Sequence, residues 1–125
     1  MIKLDYKDAR TLHQQIEDGF RELIINAILK TDEQLPSVRE LSIALTVNPN
    51  TVQKAYKELE TAGYIYSVKG KGSFVAPVSC SKDEKRVSEL YEEITSSVKE
   101  LMYLGETKDG IQNLVNNIYS EKEEG

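Results

Sequence analysis

The sequence predicts a mainly α protein: a winged helix-turn-helix of three helices and a β-hairpin, followed by a two-helix tail. Three observations carry this. Apolar residues recur at three- and four-residue steps in five stretches, and an Asn-Pro pair separates the second stretch from the third. Between the third and fourth stretches, an aromatic and β-branched run is followed by Lys-Gly-Lys-Gly, the signal of a hairpin. The charge is divided along the chain, which separates a neutral first part from an acidic second part.

The first helix is expected over Thr11 to Leu29, where Leu12, Ile16, Phe20, Leu23, Ile24, Ala27 and Ile28 form one apolar stripe. The second begins at Ser37, which with Glu40 fits a capping box, and turns Val38, Leu41 and Leu45 inward. It stops at Thr46-Val47-Asn48-Pro49, because proline lacks an amide hydrogen and disfavours helical geometry in the residue before it. Asn48 then reads as the N-cap of a third helix and Pro49 as its first residue. That helix carries Val52, Ala55, Tyr56 and Leu59 on one face and ends before Gly63. Tyr64 to Val68 and Ser73 to Val75 read as the two strands of the hairpin, with Lys69, Gly70, Lys71 and Gly72 at its tip. A hairpin alone is marginally stable, so it must pack on the helices before it.

Pro77 to Ser81 reads as a linker, dividing a domain of residues 1–77 from a tail of residues 78–125. The tail's first helix, starting near Lys82 and capped by Ser81 with Glu84, places Val87, Leu90, Tyr91, Ile94, Val98, Leu101 and Leu104 near a heptad seam. Gly105 ends it, and Thr107 caps a last helix bearing Ile111, Leu114, Val115, Ile118 and Tyr119. Two short helices cannot cover these faces by themselves. The seam formed by Leu90, Tyr91, Ile94, Val98, Leu101, Leu104, Ile111, Leu114, Val115 and Ile118 therefore predicts a homodimer.

Composition excludes other classes. A chain of 125 residues leaves room for one compact domain and an appendage, and its 39% hydrophobic content is that of a folded protein. No apolar run reaches the length of a membrane span, and Met1 to Asp5 has acid and no apolar segment, which predicts a cytoplasmic protein. The lone Cys80 and the lone His13 form neither a disulfide nor a metal-ligand set; Cys80 reads as an inert linker thiol and His13 as a surface or interface residue. No nucleophile-base pair or phosphate loop is present, so neither an enzyme nor a cofactor is expected.

The net charge of −5 is unusual for a nucleic-acid binder. Its distribution resolves the difficulty: residues 1–79 hold ten acids and ten bases, while the remainder holds eleven acids and six bases. Only the first part is electrostatically compatible with DNA.

In a winged helix-turn-helix the second helix of the pair enters the major groove, and its N-terminal residues reach base edges. Here Asn48, Asn50, Thr51, Gln53 and Lys54 take that place, on a face that continues to Lys57. Asn and Gln can bond adenine edges, Lys can reach guanine acceptors and the Thr methyl can touch thymine. Ser37 and Arg39 are placed to hold phosphate, and Lys69, Gly70, Lys71 and Gly72 form a wing tip whose glycines admit close backbone approach. These residues predict a sequence-specific regulator bound to a double-stranded operator. The alternative is a winged-helix protein-interaction module that does not bind DNA.

Leu35-Pro36-Ser37-Val38-Arg39-Glu40-Leu41, Val47-Asn48-Pro49-Asn50-Thr51-Val52, Ala55-Tyr56 with Leu59, Gly63-Tyr64-Ile65 and Gly70-Lys71-Gly72-Ser73-Phe74-Val75 resemble, in order, the signatures of the GntR family over about residues 10 to 76. The loop Lys30 to Gln34 lacks the glycines common there and reads as a changed turn with little bearing on function. Asn48-Pro49 stands where members often have Ser-Arg, which shifts base reading onto Asn50, Thr51, Gln53 and Lys54. The length resembles the short YtrA-type branch, which implies a dimeric repressor, commonly of a transporter operon, with a tail as its dimerisation arm. No effector domain is present, so a small-molecule effector, if any, is expected near the Pro77 to Ser81 linker.

Overall fold

The computed structural model describes residues 2–77 and 84–124, with side chains to Glu121 in the last helix. Cys80, Ser81 and the segment from residue 78 to residue 83, with the cap and effector site expected there, lie outside the described residues. The chain divides into two units, one running to residue 83 and the other starting at Glu84.

In the first unit, α1 (Leu12–Ile25), α2 (Val38–Leu45) and α3 (Pro49–Thr61) are followed by β1 (Ile65–Val68) and β2 (Gly72–Val75). Each helix starts on a side chain that satisfies an otherwise orphaned amide. Thr11 forms a capping box with Gln14, Ser37 forms one with Glu40, and Asn48 accepts from the Asn50 amide with Pro49 behind it.

The helix ends share one device. In each, a residue with positive φ closes the last turn, and the two amides from that residue onward return to carbonyls of the helix, as in a Schellman motif. Gly63 serves α3, as its sequence predicts, but Thr46 serves α2 and Ala27 serves α1, with φ of 56° and 57°. Helix α1 is therefore shorter than its apolar periodicity predicts. Ala27 and Ile28 leave the stripe, Ile28 is exposed, and Leu29 reaches the core from the loop instead.

A β-branched residue in the left-handed region costs about 1–2 kcal/mol, more than the added unfolded-state entropy of glycine. Thr46→Gly is accordingly expected to raise the stability of this unit by about 0.5–1 kcal/mol. Urea denaturation monitored by far-UV circular dichroism measures it; an unchanged or lower midpoint would count against strain at Thr46.

The core is built from one face of each element. Ile16 and Phe20 of α1, Leu41 of α2, Val52, Ala55, Tyr56 and Leu59 of α3, Ile65 of β1 and Val75 of β2 are buried together with Leu29 and Leu35 from the connection. Strands β1 and β2 pair antiparallel, Ile65 opposite Val75 and Val68 opposite Gly72. The other edge of β2 is also occupied: the Asp32 amide donates to the Val75 carbonyl, the Leu35 amide to the Ser73 carbonyl and the Val75 amide to the Glu33 carbonyl. The loop before α2 thus runs along β2 as a third, strand-like edge of the hairpin sheet. Its reversal uses Asp32, at φ 66°, in place of glycine.

A segment N-terminal to α1 is bound to that helix. The buried Gln15 side chain accepts from the Asp5 amide at 2.8 Å and donates to the Asp5 carbonyl at 2.9 Å, while Ile2 packs on Gly19. Arg10 bridges Asp8 and Asp18 at 2.7 Å each, and it holds the Asp8 carboxyl at about 2.

The second unit consists of α4 (Glu84–Tyr103) and α5 (Lys108–Glu124). Gly105, at φ 90°, ends α4 through bonds from its own amide and that of Glu106, and the Thr107 hydroxyl caps α5 by accepting from the Gly110 amide. No residue of α4 is buried. Among the described residues, no helix is long and apolar enough to cross a membrane.

Candidate nucleic-acid interface

The expected site residues lie on α2, on the polar face of α3 and at the hairpin tip. Helix α3 is fixed by its buried side: Phe20 meets Tyr56 edge-on, with ring centroids 5.7 Å apart, and the Tyr56 hydroxyl donates to the Pro36 carbonyl at 2.7 Å. Burial, with the Glu40 carboxylate nearby, pushes the Tyr56 phenol far above its ordinary range, so it remains a donor at any working pH. This bond ties the middle of α3 to the residue preceding the α2 cap. The angle between the two helices therefore rests on packing and on a hydrogen bond.

With Val52, Ala55, Tyr56 and Leu59 turned inward, Asn50, Gln53, Lys54 and Lys57 stand exposed on the opposite side. Thr51 is half-buried at the flank of this face. Asn48 is exposed and uses its Oδ1 in capping, which leaves its amide nitrogen outward; Ser37 likewise accepts through Oγ from the Glu40 amide at 3.0 Å and keeps its hydrogen to donate. Arg39 lies exposed on the first turn of α2.

At the hairpin tip, the Lys71 amide donates to the Val68 carbonyl, and Gly70 has the positive φ of 79° that a type II turn requires at its third position. Lys69 and Lys71 project from it exposed. The Gln34 side chain donates to the Lys71 carbonyl at 2.8 Å, and a Cβ on Gly72 would stand 2.9 Å from Gln34 Nε2. Tyr66 donates to Asp32 at 2.7 Å and stacks on Phe74. The loop dismissed by its missing glycines is therefore a brace for the wing: it fixes the tip from a distance of 37 residues in sequence.

Arg39, Asn50, Gln53, Lys54, Lys57, Lys69 and Lys71 share one property. Among the described residues, none of their side chains makes a hydrogen bond or an ion pair within the chain. Arg10 and Arg21, by contrast, are held in ion pairs with Asp8 and Asp18. No group of His, Cys, Asp and Glu capable of holding a metal occurs among the described residues.

The family model for bacterial regulatory proteins of the gntR family matches residues 12–75, from the start of α1 to the end of the wing. The chain belongs to the GntR family. This GntR-family chain is 30% identical to the HTH-type transcriptional repressor YtrA of Bacillus subtilis (strain 168) over 126 aligned positions, which span all of this chain and 97% of that one. The match through the tail puts it in the short YtrA-type branch. A solved structure of a transcriptional antiterminator from Listeria monocytogenes EGD-e superimposes with a TM-score of 0.76 at 32% identity, covering 95% of this chain and 90% of that chain. AraR(DBD) in complex with operator ORE1 gives a TM-score of 0.53 at 28% identity, over 61% of this chain and 93% of that one. The first of these relatives is named as a transcriptional repressor, and the last holds an operator.

Proposed function

We propose that the chain is a sequence-specific DNA-binding regulator that represses transcription as a homodimer seated on a palindromic operator, in the cytoplasm. The observation that carries this reading is the set of seven polar and cationic side chains without partners on α2, α3 and the wing. A surface of lysines and amides left unpaired beside a rigid core is suited to phosphates and base edges. The complex of AraR with operator supports the reading for a fold of this kind.

In this reading residues 1–77 bind DNA. Asn50, Gln53 and Lys54, with Thr51 at the flank, read bases; Asn48 helps to seat the helix; Ser37, Arg39 and Lys57 hold phosphates; Lys69, Gly70, Lys71 and Gly72 approach the backbone or the minor groove. Residues 78–125 join two copies, so that two recognition helices address half-sites about one helical turn apart, roughly 34 Å. The acid surplus of the tail keeps that part off the duplex.

The test is a salt titration of binding to double-stranded DNA. Each neutralised phosphate should contribute a slope of about −0.9 in log K against log salt. Lys54→Ala is expected to weaken binding to a duplex selected from a random pool by about tenfold, as the loss of one base contact worth about 1–3 kcal/mol requires. Gln53→Ala should relax the preference at one base position. A response independent of salt would favour a protein-interaction module instead, and Lys54→Ala binding as tightly as the wild type would overturn the assignment of Lys54 to base reading.

A further inference from the structure

The hairpin is rooted by burial at one end only. Ile65 and Val75, paired at its base, are buried, whereas Val68 and the tip from Lys69 to Gly72 are exposed. A two-stranded hairpin is marginally stable by itself, so the direction of its exposed half depends on what holds it from outside. Each strand is held by a different element. On β1, the Ser67 amide and hydroxyl donate to the two carboxylate oxygens of Glu60, near the end of α3, at 3.2 Å each. On β2, the Leu35 amide donates to the Ser73 carbonyl at 2.9 Å, and the Gln34 side chain donates further out, to the Lys71 carbonyl at 2.8 Å.

The Gln34 bond is the outermost of these and falls on one of the two tip lysines. The Lys71 amide closes the turn on the Val68 carbonyl at 2.9 Å, and its carbonyl is taken by Gln34, so the Lys71 backbone is held on both sides of its Cα. Lys69 stands at the second position of the turn, across Gly70. Gly72 makes the bond possible: a Cβ there would stand 2.9 Å from Gln34 Nε2. The Gln34 side chain is itself exposed, so water competes for the bond and its loss should cost the fold little.

We propose that Gln34 is a positioning residue for DNA binding: by holding the Lys71 backbone it aims the Lys71 side chain at a phosphate, while Lys69 binds independently of it. This rests on the DNA-binding reading of the wing. A lysine whose root is fixed loses less freedom when it meets its partner, and bonds that fix the residues of a binding site act in this way generally. Because a phosphate contact carries no sequence information, Gln34 acts on any duplex.

The experiment measures binding of the full chain to a mixed-sequence DNA duplex by fluorescence anisotropy across a salt series, for Gln34→Met, Lys69→Ala, Lys71→Ala and the two double variants that include Gln34→Met. Methionine keeps the length of glutamine and has no donor. Lys71→Ala should bind about fivefold more weakly than the wild type and flatten the salt slope by about 0.9. Gln34→Met changes no charge, yet should bind about threefold more weakly and flatten the slope by about half as much. Combined with Lys71→Ala it should add no further loss, whereas combined with Lys69→Ala its loss should multiply in full. Its thermal midpoint should stay within about 3 °C of the wild type. Gln34→Asn, whose amide is one methylene too short to reach, should behave as Gln34→Met does. Wild-type binding by Gln34→Met or by Lys71→Ala, or a Gln34→Met loss that persists in the Lys71→Ala background, overturns the positioning role. A midpoint lowered by more than about 10 °C in both Gln34 variants overturns it too, by making Gln34 a residue of the fold. Absence of salt-dependent binding by the wild type overturns the DNA-binding reading itself.

Discussion

Phe20→Ala is expected to remove about 3–5 kcal/mol from the stability of the winged unit, enough to leave much of it unfolded at 37 °C. Phe20 is fully buried and is the largest of the fully buried side chains. It stands where α1 crosses α3, and its removal takes away contact with Tyr56 as well as its own burial. The cavity cannot be filled by collapse, because α1 is tied at its start by the Thr11 and Gln15 bonds and at its end by the closed turn at Ala27. Thermal denaturation should show a fall in midpoint of about 15 °C or more. Tyr56→Phe is the informative companion. It keeps the ring and deletes only the donor to the Pro36 carbonyl, so it should cost about 1–2 kcal/mol. If Phe20→Ala cost no more than Tyr56→Phe, the α1–α3 crossing would not be the centre of the core.

What was legible in the sequence shares a physical origin. The caps at Ser37 and Asn48, the proline at the start of α3 and the stripe Val52, Ala55, Tyr56 and Leu59 depend on hydrogen bonds and periodicities within a few residues. So do the hairpin and the exposed face of α3, which follows once its buried face is known. The end of α1 was not legible, because Ala27 carries no signal for the left-handed conformation it adopts. Nor were Gln34 bracing the wing at Lys71, Gln15 holding Asp5, or Tyr56 reaching Pro36. Each joins residues that only the fold brings together, and glutamine and tyrosine are equally at home on a surface. The wing was therefore readable as a hairpin, whereas what aims it was not.

Leu101→Asp is expected to split the proposed homodimer, raising its dissociation constant by at least a hundredfold while the winged unit stays folded. The argument starts from what α4 and α5 leave uncovered. Leu90, Tyr91, Ile94, Leu104, Leu114, Val115 and Ile118 are all exposed in the single chain, Tyr91 at 67% and Leu104 at 65%, and Val98, Leu101 and Ile111 are only half-buried. Side chains of that size release about 1.5–3 kcal/mol each when they are fully buried, so a unit that buries none of its α4 residues lacks the core to hold its own helices in place. In the proposed homodimer a symmetric partner would supply one, the same patch on a second copy meeting it. Placing a carboxylate in such an apolar interface incurs a desolvation penalty of several kcal/mol, and each 1.4 kcal/mol is a factor of ten in affinity. Light scattering should therefore report the monomer mass for Leu101→Asp and twice that mass for the wild type. Operator binding should fall with it, because two linked recognition units gain an effective concentration that a single one lacks. Arg39, Lys54 and Lys69 are untouched by the substitution, so the per-unit affinity for random duplex should persist. A variant that remained dimeric would move the interface off α4, and one that was monomeric yet bound a palindromic site undiminished would detach dimerisation from DNA recognition.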